Sequence, residues 1–411
     1  MGQYFLGVVG ADLGGLLTAA LVSAKGKRSF ICTAGTSLAE ALGTVQKDGF
    51  SFSTGPALSY SLEQDGVLQR VLTALGITDL APERAIGYQV ALPDRRITVA
   101  SRQEETLDEI RREFPSDVEM AVKFYHDLKV AAERISNSRV ATYLSKYKSA
   151  QSFLRDYKFS REFLAFLDVQ AIFFFHCPVM ELAFPALLKL CGHRPSRFYG
   201  LYEKIAARLI DIVLRKGGNV RFGESLVDIV YRSNQTIGIR TAREDVEVSS
   251  MLLRDYEKSM PVLFLGIRDE VVPVGMGRDV LYLPDYSEPR NFLALALSEK
   301  GDHAAAPHNM RALTTSFYTD KKPGRLPDML VEQIADLIPY LKDFIILSGE
   351  SLPAAAEVPK DLTFKPLRSG SMRSAPLLFK ASRRNVHMLR EVYNAPDLVI
   401  QAVERLVARI T

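Results

Sequence analysis

The amino terminus constrains the fold more strongly than any other segment of the chain. Residues Tyr4 to Val9 are an apolar run, a glycine-rich turn follows, and an apolar segment from about Leu13 to Ala24 has the length of a helix. A second apolar run, Arg28 to Cys32, comes after Gly26, which is placed to end that helix. Because continuous apolar runs are typical of strands covered on both faces, we predict a parallel βαβ unit.

The rest of the sequence alternates between helical and strand-like patterns. Ser116 and Glu119 have the spacing of a capping box at the start of a helix. Helical patterns continue through residues 116–135, 151–190, 202–214 and 394–410, and strand-like runs fill 227–231, 236–241 and much of 261–318. The chain therefore leaves its first α/β unit, adds helices and a β-rich stretch, and returns.

This order predicts two interleaved domains in an α/β fold. We expect a Rossmann-like, FAD/NAD(P)-binding type domain made of residues 1–85, 192–258 and 340–411. A substrate-type domain of mixed β-sheet and helices is expected from residues 86–191 and 259–339.

Composition excludes several classes of function. The 52 basic and 48 acidic residues give a net charge of only +4, which does not favour nucleic-acid binding. Cys32, Cys177 and Cys191 lack metal-ligand spacing, and an odd number of thiols without a leader segment indicates a cytoplasmic protein. The longest apolar tract, residues 163–191, is interrupted by charged residues and prolines, so we expect at most peripheral contact with a membrane.

The opening segment, VVGADLGGLLTAALVSAKGKRSFIC, resembles the phytoene-desaturase and carotenoid-isomerase family within the flavin amine-oxidase superfamily. Further segments resemble that family in the same order: DGFSFSTGPAL, LTALGI, FPSDVEMAVKFYHDL, RFYGLYEKIAARL and SEKGDHAAAPHNMRALTTSFY. The resemblance implies an extended groove for FAD and a reaction on long hydrophobic polyenes, usually at a membrane surface.

The nucleotide-binding fingerprint of such a unit is altered. Gly10 stands at the first position of GxGxxG and Gly15 at the third, with Gly14 beside it, but the second position is Asp12. The second glycine lets a pyrophosphate approach the backbone, so Asp12 adds both a side chain and a negative charge at that place.

Other parts of the expected flavin site depart as well. The acidic residue for the ribose falls on Thr33, and the following glycine pair with its arginine falls near Ala39, Glu40 and Ala41. The carboxyl-terminal segment LLFKASRRNVHM carries Ala381 and Ser382 at the strand end, without the family's glycine. Charge repulsion and the lost ribose hydrogen bond together cost about 4–7 kcal/mol of binding energy. We therefore expect no FAD, or only weakly bound FAD.

Several residues have a structural alternative. The three glycines can serve only the turn and helix packing, and Asp12 can cap the helix. Thr33 fits an ordinary turn position better than a nucleotide contact. His176 fits a buried, hydrogen-bonded histidine better than a base. The aromatic residues of the tract can line a tunnel for an apolar ligand or form a packed core; they are Phe163, Phe166, Phe173, Phe174, Phe175 and Phe184.

We find no paired carboxylates, nucleophile elbow or metal cluster, and so no catalytic residue is predicted. The first hypothesis is a flavin-free member of the family that binds a hydrophobic small molecule or a protein partner. An active FAD-dependent oxidoreductase on an apolar substrate is the second hypothesis, and a subunit that pairs with a homologous chain is the third.

Overall fold

The computed structural model describes most of the chain and confirms the mixed α/β class. The described residues are 3–38, 44–53, 58–62, 66–80, 83–84, 87–145, 148–197, 201–232, 235–256, 262–319, 326–351, 362–367, 378–391 and 396–411.

The elements of these residues are numbered in chain order. The strands are β1 (Tyr4–Val9), β2 (Ser29–Thr33), β3 (Thr44–Lys47), β4 (Phe50–Ser53), β5 (Leu58–Ser59), β6 (Glu83–Arg84), β7 (Gly87–Ala91), β8 (Arg96–Ala100), β9 (Ser196–Arg197), β10 (Asn219–Phe222), β11 (Leu226–Arg232), β12 (Gln235–Thr241), β13 (Asp245–Tyr256), β14 (Val262–Arg268), β15 (Asp279–Tyr282), β16 (Phe292–Leu297), β17 (Met310–Tyr318), β18 (Ile345–Ser351), β19 (Phe364–Pro366), β20 (Leu378–Ala381) and β21 (Val386–Glu391). The helices are α1 (Leu13–Ala24), α2 (Val67–Ala74), α3 (Gln103–Glu113), α4 (Val118–Ser136), α5 (Arg139–Ser145), α6 (Ala150–Leu154), α7 (Arg161–Phe175), α8 (Phe184–Gly192), α9 (Leu201–Arg215), α10 (Leu326–Leu337) and α11 (Pro396–Ile410).

The predicted βαβ unit is confirmed, and β1 lies at the centre of the first sheet. The order β10-β2-β1-β13-β21 is parallel, with Gly7 of β1 paired to Phe30 of β2 and to Met251 of β13. β20 and β19 extend the sheet in antiparallel pairing. Helices α1, α2, α9 and α11 cover one face of this sheet, and the hairpin β11–β12 covers the other. Burial on both faces explains why these strands are continuous apolar runs.

The second sheet has the order β18-β14-β17-β16-β15-β7-β8 and is antiparallel except where β15 pairs with β7. One face packs against the aromatic helices of the insertion, and the other packs against α10. β18 lies in this sheet, paired with β14, although the sequence-based division places residues 345–351 in the Rossmann-like domain. β-Strand pairing is decided by partners distant in sequence, which local patterns do not reveal.

The predicted capping box at α4 is wrong. Asp117 is the residue before the helix, and neither its side chain nor that of Ser116 caps the helix. The Asp117 carboxylate instead accepts hydrogen bonds from the backbone N–H and hydroxyl of Ser160, at 2.7 and 2.6 Å. A tertiary contact with the start of α7 has therefore replaced the local motif.

The aromatic tract forms a packed core between the second sheet and helices α3, α4, α7 and α8. Phe163, Phe166, Phe173, Phe174 and Phe184 are at most 4% exposed and belong to one apolar cluster. Their rings meet at centroid distances typical of aromatic pairs. Of the two sequence interpretations, the packed core is the one observed. In the part of the chain that is described, no helix has both the length and the apolar character needed to cross a bilayer.

His387 of β21 makes the first sheet sensitive to acid. Its side chain is 6% exposed, and burial, reinforced by the nearby charges of Arg409 and Lys380, lowers its pKa to about 4. The depressed pKa means that the stabilisation is present above the unfolded value of about 6.5 and is lost as the pH falls towards 4. We expect His387→Gln to remove about 2–3 kcal/mol of the pH dependence between pH 7 and pH 4. Denaturant unfolding at both pH values measures this difference. His308→Gln, at an exposed loop histidine, is the matched control, and an equal effect of the two variants would contradict the prediction.

Candidate functional site

The glycines of the first turn have the packing roles expected of them. Gly10 has a φ of 110°, which favours glycine, and its N–H donates to the carbonyl of Cys32 at 2.8 Å. A Cβ atom on Gly15 would lie 2.5 Å from the carbonyl oxygen of Gly10, so only glycine allows α1 to approach β1 this closely.

Asp12 caps helix α1, as the structural interpretation of this residue predicted. It is the N-cap residue, it is 4% exposed, and its Oδ1 accepts a hydrogen bond from the N–H of Gly15 at 2.8 Å. The hydroxyl of Tyr202 in α9 accepts a second bond, from the N–H of Leu13 at 3.1 Å. Side chains of this protein thus satisfy donors at a helix end that attracts anions.

A buried arginine completes this site. The Nε atom of Arg254 lies 2.7 Å from each carboxylate oxygen of Asp12, and the side chain of Arg254 is fully buried. Its Nη1 donates to the carbonyl of Leu389 at 2.8 Å, which connects β13 to β21. A Cβ on Gly14 would meet Nη2 at 2.9 Å, so the guanidinium lies directly against the first turn of α1.

Sequence reasoning missed Arg254, which lies 242 positions from Asp12. The available signal was a single arginine after the apolar residues Met251, Leu252 and Leu253 of a strand buried on both faces. Buried charges are normally paired, so such an arginine indicates an acidic partner elsewhere.

A second ion pair lies at the start of α11. Asp397 is in its first turn, and its Oδ2 lies 2.9 Å from Nζ of Lys189 in α8. The ammonium group of Lys189 also lies 5.5 Å from the ring centroid of Tyr60. Because α11 packs against α1, with Val399 next to Gly14, both helices that start at this edge of the first sheet carry a carboxylate paired with an internal cation.

Thr33 ends β2 next to the two strands that follow the turn. Its carbonyl accepts a hydrogen bond from the N–H of Glu224 at 2.9 Å. The buried Glu224 carboxylate accepts from Thr241 and, at 3.4 Å, from Arg221. Burial, followed by the charge of Glu224, raises the pKa of the Cys32 thiol to about 12. These contacts are structural, and a role of Thr33 in nucleotide binding stays a prediction.

The remaining candidate residues do not join this site. Ala39, Glu40 and Ala41 lie outside the described residues, and Ala381 ends β20, an antiparallel strand. His176 was expected to be buried, but it is exposed and ends α7 in the left-handed conformation. Among the described residues, no group of three His, Cys, Asp or Glu side chains could hold a metal ion.

No family model and no curated protein sequence matches the chain. Solved structures match it over nearly its whole length. A Rab GDI from Plasmodium falciparum has a TM-score of 0.67 at 12% identity and covers 99% of this chain and 97% of its own. An oxidoreductase from Methanosarcina mazei has 0.61 at 14%, with 99% and 100% covered. Putrescine oxidase bound to putrescine has 0.54 at 13%, with 100% and 99% covered. The chain has the FAD/NAD(P)-binding fold of the GDI-like kind.

In a fold of the FAD/NAD(P)-binding type, the pyrophosphate of the dinucleotide lies at the N terminus of the first helix. In this chain the carboxylate of Asp12 lies at that helix end, with Arg254 as its counter-ion. The altered fingerprint in the sequence therefore corresponds to a complete internal ion pair.

We expect the Asp12–Arg254 pair to be strongly coupled. Asp12→Asn retains an oxygen for the helix cap but leaves the guanidinium buried without a counter-charge, which costs about 3–5 kcal/mol of unfolding free energy. Arg254→Met leaves Asp12 uncompensated at a similar cost. The double variant is expected to lose clearly less than the two single losses added together, because no charge remains unpaired.

Denaturant unfolding of the four proteins measures the coupling. Glu404→Gln is the control, since its partner Arg70 and Glu404 itself are largely in water and the pair contributes little. Additive losses in the double variant would show that Asp12 and Arg254 act independently.

Proposed function

We propose that this chain is a flavin-free, divergent relative of the phytoene-desaturase-like oxidoreductases which uses the dinucleotide-binding scaffold to hold a protein partner. The observation that carries the proposal is the Asp12–Arg254 pair at the N terminus of α1. The residues there do not fit a pyrophosphate group. A pyrophosphate beside Asp12 would meet like charge, and it would compete with a carboxylate already bonded to the N–H of Gly15.

Other contacts of the same edge support a scaffold without flavin. Asp397 places a second carboxylate at the start of α11, and no acidic residue stands at position 33 for a ribose. Each departure alone is tolerable, but together they remove the anion site, the second helix end and the ribose contact. We derive no redox step, because the residues that would hold the flavin are used internally.

The packing of the second domain supports a protein partner over an apolar small molecule. The cavity between β15–β17 and the residues Ser53, Leu58 and Phe173 measures about 30 Å³, which accommodates roughly two water molecules. The buried pair of Arg197 and Asp279, 2.5 Å apart, lies at its edge, with the carboxylate of Asp279 in the lining. A long hydrophobic ligand would need the aromatic core to open.

The second candidate is an active FAD-dependent oxidoreductase on an apolar substrate. The geometry of Gly10 and Gly15 favours it, since both glycines retain the conformation and the close contact that the fingerprint requires. In this alternative the Asp12 side chain must leave the helix end when the cofactor binds.

The experiment compares the wild-type chain with Asp12→Gly, which restores the second glycine and leaves Arg254 facing the helix end. We expect the wild type to purify colourless and its melting temperature to be unchanged by micromolar FAD or ADP. The variant is expected to be less stable and to be stabilised by both compounds, with an affinity at least about 100-fold higher than wild type, because their pyrophosphate supplies the missing counter-charge. Visible absorption and thermal unfolding measure both effects.

Asp245→Gly, which removes an exposed carboxylate, is the control. Stoichiometric flavin in the wild-type protein would refute the proposal and establish the oxidoreductase alternative. A variant that ignores ADP would show that the ion pair is not what excludes the pyrophosphate.

A further inference from the structure

Helix α5 has its apolar residues on the wrong side for a helix that faces only water. Its outward residues Val140, Tyr143 and Leu144 are 68%, 59% and 54% exposed and are spaced three and four positions apart. Its inward side has Ala141 and the buried Ser145. A surface helix of a globular protein normally has the opposite arrangement, so the outward face of α5 fits a non-aqueous contact.

The segment around α5 is also the most basic part of the chain. We call residues 129–158 the helical tip; it contains the last turns of α4, all of α5 and α6, and the start of the loop before α7. Seven Lys or Arg and two Asp or Glu give it a net charge of +5, whereas the other 45 basic and 46 acidic residues leave −1 for the rest of the chain. Its described cations with exposed side chains are Lys129, Arg134, Lys148, Arg155 and Lys158.

We propose that the helical tip docks this protein on an anionic membrane surface. Apolar side chains that enter the headgroup region and basic side chains that contact anionic lipids are the two components of interfacial binding, and neither needs a spanning helix. Three side chains on a seven-residue helix cover far less than the roughly 800 Å² per partner of a stable protein interface, which favours a lipid surface over a protein. This surface lies outside the dinucleotide site, so the proposal stands whether or not flavin binds.

The test is co-sedimentation of the full chain with lipid vesicles. We expect binding to phosphatidylcholine vesicles that contain about 30 mol% phosphatidylserine, weaker binding to phosphatidylcholine alone, and a steep loss between about 50 and 500 mM NaCl. The triple variant V140S/Y143S/L144S is expected to bind at least about tenfold more weakly, since it removes the inserting side chains. K148E/R155E is expected to lose at least about tenfold, since each basic residue near the surface contributes about a fivefold gain.

Matched controls change the same residue types elsewhere on the surface. Val274→Ser removes a fully exposed valine, and K47E/K365E reverses two exposed lysines outside the tip. Because all substituted side chains are exposed, the variants are expected to fold, and circular dichroism with thermal unfolding checks this. Both controls should bind like the wild type.

Three results would overturn the proposal. They are no binding of the wild type to anionic vesicles, equal binding to neutral and anionic vesicles, and tip variants that bind as well as the controls. Sedimentation velocity without lipid covers the protein alternative. A wild-type dimer that the triple variant converts to monomer would identify the helical tip as a contact between two copies of the chain instead.

Discussion

The buried pair of Asp12 and Arg254 is the interaction on which the rest of the first domain depends. It joins the β1–α1 turn to β13, and the bond from Arg254 to the carbonyl of Leu389 adds β21. Three strands and the start of α1 therefore meet at one guanidinium group. A buried ion pair of this kind contributes little net stability compared with apolar packing, but breaking one half of it is expensive. The pair consequently fixes how the strands and helix are arranged more than how stable they are.

The same pair decides what the edge of the sheet offers to a ligand. A helix N terminus attracts an anion, and in a dinucleotide-binding fold the ligand supplies that anion. In this protein a side chain of the turn supplies it, and a basic side chain of the sheet balances it. Lys189 and Asp397 repeat the arrangement at α11. The local electrostatic demand of both helix ends is thus met from within the chain.

The second domain follows a different physical principle. Its helices are held by a large aromatic cluster under the second sheet, with Phe114, Phe124 and Phe163 almost completely buried. Apolar surface is nevertheless left exposed at α5, where the core offers only small residues on the inward side. Two distinct surfaces result: a dinucleotide-type edge with internally paired charges, and a basic, partly apolar helical tip.

The sequence by itself determined the local elements of the first domain, because they depend on neighbouring residues. The bounds of β1 and α1, the turn at Gly10 and the helix cap at Asp12 all follow from apolar runs, glycine conformation and short-range hydrogen bonds. The tertiary structure alone decided which distant groups meet. It placed Arg254 against Asp12, bonded Asp117 to Ser160 in place of its own helix, and paired β18 with β14. Such contacts depend on the three-dimensional position of side chains and strand edges far apart in sequence, which residue type and spacing do not specify.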